Sequence, residues 1–95
     1  MIYWMLDEAL EYVRELQPKT MEVGWCLLLG GGVLNRGSGP DLDLLAYPRT
    51  PTSKRTDLIT ILPEGTWDRV DGVSDIYCYS VDGCEVELIF QTRSS

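Results

Sequence analysis

The stretch Gly30-Gly31-Gly32-Val33-Leu34-Asn35-Arg36-Gly37-Ser38-Gly39-Pro40-Asp41-Leu42-Asp43-Leu44 sets a glycine cluster about ten residues ahead of an Asp-Leu-Asp step. On a β-strand alternate side chains share a face, so Asp41 and Asp43 project side by side while Leu42 and Leu44 point the other way. Paired carboxylates repel each other. A hard divalent cation such as Mg²⁺ relieves that repulsion, because it takes oxygen ligands and keeps waters of its own. Glycines just upstream let the backbone approach a phosphate closely. An acid pair behind a phosphate-approaching loop is the equipment of phosphoryl or nucleotidyl transfer.

Before this stretch, residues 3–16 read as an amphipathic helix. Leu6, Ala9, Leu10, Val13 and Leu16 carry the apolar stripe, and Asp7, Glu8, Glu11, Arg14 and Glu15 fill the other face. Pro18 is expected to close it. Trp25 to Leu29 reads as a buried strand running into the glycines, Val33 to Arg36 as one helical turn, and Asp41 to Tyr47 as a second strand. After it, Thr50-Pro51 is expected to open a helix with Leu58, Ile61 and Leu62 on its apolar side, ended by Pro63 and Gly65. Trp67 to Val70 is a further short strand or edge. Ile76 to Val81 and Cys84 to Phe90 flank Asp82-Gly83, a strong two-residue hairpin signal. That turn sets Val81 opposite Cys84, Ser80 opposite Glu85, Tyr79 opposite Val86 and Cys78 opposite Glu87. The expectation is one α+β domain over residues 1–95: a small mixed β-sheet of four or five strands, with helices packed on one face. Met1 and Arg93 to Ser95 are expected to fray.

Composition narrows the function. The chain has 95 residues, 44% of them hydrophobic, with three Trp and five Tyr, which is a folded domain rather than a disordered one. Its net charge of −7 is unfavourable for holding nucleic acid by its phosphates, so no direct nucleic-acid binding is expected. Histidine is absent, which removes His-based zinc sites, Ser-His-Asp triads and Cys-His dyads. Three cysteines, an odd number, make no disulfide framework and read as free thiols in a reducing compartment. The apolar start lacks a basic leader region, and no run approaches membrane-spanning length. A cytoplasmic location is expected, the host cytoplasm if the chain is phage-encoded.

A third carboxylate from a neighbouring strand would complete a metal site. Glu87 can supply it, with Glu85 a rival on the same face. With that acid in place, the chain resembles the nucleotidyltransferase superfamily typified by DNA polymerase beta, CCA-adding enzymes and the minimal nucleotidyltransferases. The glycine pair Gly31-Gly32, the spacer, Asp41-Leu42-Asp43 and the later Val86-Glu87-Leu88 carry the likeness. Small stand-alone proteins of bacteria and phages are the nearest in pattern, through Arg36-Gly37-Ser38, Leu44-Leu45-Ala46-Tyr47-Pro48 and Val81-Asp82-Gly83. The pair is Gly-Gly where such proteins often have Gly-Ser, and Glu stands where Asp is more frequent.

The resemblance implies that Asp41, Asp43 and Glu87 are the catalytic acids and hold Mg²⁺ or Mn²⁺. It implies that Glu87 helps activate an incoming hydroxyl, and that Gly31, Gly32, Arg36 and Ser38 meet the NTP phosphates. Larger members hold base and acceptor with a second, helical domain. Nothing after Ser95 supplies one, so a protein partner or a second copy is expected to provide those contacts. Ile2, Tyr3, Trp4 and Met5 form an apolar patch suited to such an interface. Two functions follow. One is metal-dependent transfer of a nucleoside monophosphate from an NTP to a hydroxyl of a protein or small acceptor. The alternative is a non-catalytic interaction protein on the same scaffold, an antitoxin or a phage inhibitor of a host factor.

Overall fold

The computed structural model describes residues 3–70 and 74–91. The ends expected to fray, and Ile2 of the apolar patch, lie outside them. The elements in chain order are β1 (Trp4–Met5), α1 (Leu6–Glu22), β2 (Trp25–Gly30), α2 (Gly31–Arg36), β3 (Ser38–Gly39), β4 (Asp41–Pro48), α3 (Arg55–Thr60), β5 (Thr66–Val70), β6 (Ser74–Val81) and β7 (Cys84–Phe90). β1 and β3 form a two-stranded ladder, and the other five strands form one mixed sheet in the order β2-β4-β7-β6-β5. Only β4 and β7 pair in parallel; the other neighbours are antiparallel. The architecture is the expected α+β one.

Period-two alternation decides which face is covered. Leu27, Leu42, Leu44, Ala46, Val86, Leu88 and Phe90 turn to one side and are buried there with Ala9 of α1, Val33 of α2 and Leu58 of α3 in a single core. Fully burying one such leucine contributes roughly 2 kcal/mol. The three helices thus cover one face. Trp25 meets Phe90 edge-on at 5.0 Å between ring centroids, and the Arg55 guanidinium lies 5.0 Å over the same ring, closing one end of the core. The opposite face carries the acids of β4 and β7 together with Leu28, Leu45 and Ile89.

The β6–β7 hairpin has the expected register, Val81↔Cys84 through Cys78↔Glu87. Asp82 and Gly83 both take positive φ, 51° and 83°, as a tight two-residue turn between right-twisted strands requires.

Three local expectations are corrected. First, α1 does not stop before Pro18; it runs to Glu22 with Pro18 inside it. Pro18 removes one helical N–H, but the Gln17 side chain holds the last turn against β2. Its Nε2 donates to the Leu27 carbonyl and its Oε1 accepts the Leu27 N–H, both at 2.8 Å. Buried Thr20 donates back to the Gln17 carbonyl at 3.0 Å.

Second, no helix opens at Thr50-Pro51. Thr50 and Ser53 take each other's backbone and side-chain groups in a turn, and Ser53 Oγ donates to the Gly24 carbonyl at 2.7 Å. Hydroxyl side chains compete in this way with helical backbone bonds. The helix begins at Arg55, buries Leu58 and leaves Ile61 exposed. Third, Trp4 is 6% exposed and so is core, not patch; Tyr3 and Met5 beside it are exposed.

Candidate functional site

Asp41 and Asp43 lie on the open face of the sheet, because the leucines between and after them are fully buried on the other. The parallel β4–β7 pair then decides which late acids they meet. Asp41 stands opposite Glu85, and Asp43 opposite Glu87. Adjacent strands run about 4.8 Å apart, so four carboxylates form a two-by-two block. Glu87 shares the face of the aspartates. Glu85, its rival in the sequence, is an exposed neighbour in the same block rather than an alternative to it.

The row through Asp43 continues in both directions. Gly30 on β2 pairs with Asp43, Cys78 on β6 with Glu87, and Thr66 on β5 with Cys78. A shallow cavity of about 310 Å³, lined in part by Thr66, Cys78, Ser80 and Glu85, borders the acids on that side. The next row along the strands is apolar: Leu28, Leu45, Ile89 and Ile76. Leu28 is 51% exposed there. An acid block and an apolar strip therefore share one uncovered face.

Glycine is required at position 31. Its φ is +69°, a conformation that favours glycine. A Cβ there would also overlap the Asp43 side chain, 2.6 Å from its Cγ. The loop backbone thus comes against the carboxylate with no side chain between them. At Gly32 a Cβ would meet the end of the Arg36 side chain at 2.5 Å, so the guanidinium folds back along α2 to the glycine pair. Gly37 ends α2 in the left-handed conformation at φ +83°, and Ser38 follows, half-buried in β3. Gly31, Gly32 and Arg36 are therefore gathered beside Asp43. Ser38 is paired instead with Met5, at the far end of the loop.

Electrostatics set the protonation of the block. Partial burial raises the Glu87 carboxyl to about 7, and a hydrogen bond with Asp43 and the charges of Asp43, Asp41 and Glu85 push the same way. Glu87 therefore retains its proton up to about neutral pH. Cys78 is pushed up to about 11 by burial first and then by the charges of Glu87 and Asp68. Its Sγ donates to Asp68 Oδ2 at 3.6 Å. It stays a thiol at neutral pH and is a poor nucleophile.

No protein-family model matches the chain, and no curated protein matches it. Among the described residues no group of three or more His, Cys, Asp or Glu side chains is gathered tightly enough to hold a metal ion. Two carboxylates, Asp43 and Glu87, are in hydrogen-bond contact, and Asp41 acts on Glu87 through its charge. The donors of the block are all carboxylate oxygens, the chemistry of a hard cation rather than a soft one.

The sequence missed the pairing of Asp41 with Glu85 and the link from Trp4 to Glu85. The hairpin register places Glu85 and Glu87 on one face, but nothing in the sequence fixes how β4 aligns with β7, since no short turn joins them.

Proposed function

We propose that this chain is a metal-dependent nucleotidyltransferase, transferring a nucleoside monophosphate from an NTP to a hydroxyl. The observation that carries this is the contact of Asp43 with Glu87 beside left-handed Gly31: two facing carboxyl groups with bare backbone against them. The likeness to the nucleotidyltransferase superfamily in the sequence supports it.

Asp43 and Glu87 would hold Mg²⁺ or Mn²⁺, with Asp41, two residues earlier on the strand, adding its negative charge. The cation would supply charge neutralisation at the phosphates. The chain's own residues do the rest. Gly31 and Gly32 let the triphosphate lie against the backbone, and Arg36 reaches it from α2. Ser38 offers a hydroxyl where the loop ends. The acceptor oxygen attacks the α-phosphorus, the bond to pyrophosphate breaks, and the free Glu87 oxygen takes the hydroxyl proton.

The acceptor in this proposal is a protein or small-molecule hydroxyl, presented by a partner chain or a second copy. The acidic surface and the apolar strip beside the acids favour that over a polynucleotide. No described helix is long and apolar enough to cross a membrane. The free thiols of Cys26, Cys78 and Cys84 fit a cytoplasmic setting.

The test is label transfer from α-labelled ATP, GTP, CTP or UTP, with Mg²⁺ or Mn²⁺, to the chain itself and to proteins recovered with it from its host. Transfer that Asp43→Asn abolishes is the expected result. In parallel, Mg²⁺ or Mn²⁺ raises the melting temperature of the native chain and not of Asp43→Asn. No transfer from any nucleotide refutes the enzyme, and a chain that still captures a host protein is then the interaction protein.

A further inference from the structure

Trp4 is fastened to the site from two sides. Its backbone pairs with Gly39 in the β1–β3 ladder, and its indole Nε1 donates to the Glu85 carbonyl at 2.8 Å. Just after it, the Leu6 N–H donates to the Gly37 carbonyl at 2.9 Å. Gly39 lies two residues before Asp41, and Glu85 two before Glu87. The indole ring packs against Tyr12 with centroids 5.4 Å apart, and Tyr12 shares a 2.7 Å hydroxyl hydrogen bond with Tyr79.

We infer that Trp4 is a positioning residue for the carboxylate block, pinning the segment that leads into β4 to the start of β7. The physical need is register. An antiparallel pair inherits its register from a tight turn, as β6 and β7 do at Asp82-Gly83. A parallel pair has no such turn. A slip of one residue between β4 and β7 would turn Asp43 away from Glu87 and expose the leucines. Trp4 holds the loop before Asp41 with its backbone and β7 with its side chain, at the end of the ladder where the acids lie. A residue that only filled space there would need no N–H donor. Here the donor is present and spent on a strand carbonyl.

The inference rests on the proposed function for the use of the block, while the tie itself is measurable without it. Trp4→Phe keeps a ring and loses the donor. Its expected effect is amide exchange roughly tenfold faster at residues 37–39, 41 and 84–87, the equivalent of one hydrogen bond. Mn²⁺, followed by its electron paramagnetic resonance, is expected to bind severalfold more weakly. Tyr12→Phe removes the neighbouring Tyr79 bond and is the control: it lowers global stability but leaves both readouts unchanged. Equal effects from the two variants would show that Trp4 is core and nothing more. A native chain that binds no Mn²⁺ fails the proposed function, and exchange at 37–39, 41 and 84–87 then decides the positioning alone.

If Trp4→Phe does not fold, the native chain still decides. The indole N–H of Trp4 must exchange in step with the Gly39 amide, and an indole N–H that exchanges independently of it overturns the inference.

Discussion

Replacing Glu87 by Gln tests the acid block without removing its hydrogen bond. Glu87 rises from 4.5 to about 7 in the folded chain. Between those values the folded state binds a proton that the unfolded state has lost, so stability falls as pH rises through that window and is level above it. Each pKa unit is worth 1.36 kcal/mol, and screening at a half-exposed position cuts the whole effect to about 1–2 kcal/mol. Glu87→Gln carries no charge and still donates to Asp43. The variant should match the native chain at pH 5 and exceed it by that amount at pH 8, a rise in melting temperature of roughly 5–10 °C. Urea unfolding at both pH values, with a chelator present, reads it directly. A native chain equally stable at pH 5 and 8, or a variant weaker than native at pH 8, refutes the carboxylate contact.

The hairpin turn makes a separate prediction. Gly83→Val places a β-branched residue at φ +83° and should destabilise by at least roughly 1 kcal/mol in urea unfolding, whereas Asp82→Asn should be close to neutral. Gln17→Ala strips both bonds from Leu27 and should cost about 2–3 kcal/mol, and an unchanged unfolding midpoint would show that those bonds carry no net stability. Gly31→Ala should destabilise by about 1 kcal/mol or more. Part of that loss should return in the double variant with Asp43→Ala, since the Asp43 carboxylate is what the new methyl strikes, and strict additivity in the cycle would deny that contact.

Elements governed by local rules were legible in the sequence. Asp82-Gly83 fixed a hairpin and its register, the glycine run marked the end of β2, and alternation in Asp41 to Leu44 named the buried face. Elements governed by tertiary contact were not. Pro18 argues for a helix end, and only the distant strand that Gln17 grips carries the helix past it. Thr50-Pro51 argues for a helix start, and the Ser53 hydroxyl overrules it by bonding to Gly24. The two-residue strands β1 and β3 carry no periodic signal, because their stability comes from each other. Within the site, Asp41, Asp43 and Glu87 were legible as acids sharing a face. Which stands opposite which depends on the β4–β7 alignment, set across most of the chain and invisible to local pattern.

The Gln17 clamp has a consequence for association. A sheet grows by adding strands to its edges, which among the described residues are β2 and β5. At the middle of β2 the Leu27 N–H and carbonyl are already occupied by a side-chain amide that imitates a neighbouring strand. An incoming chain finds no vacancy at that point. Among the described residues the other edge strand is β5, at the far side of the sheet. Growth of the sheet past β2 would first have to break the two Gln17 bonds to Leu27, so the residue that anchors the helix also guards that edge.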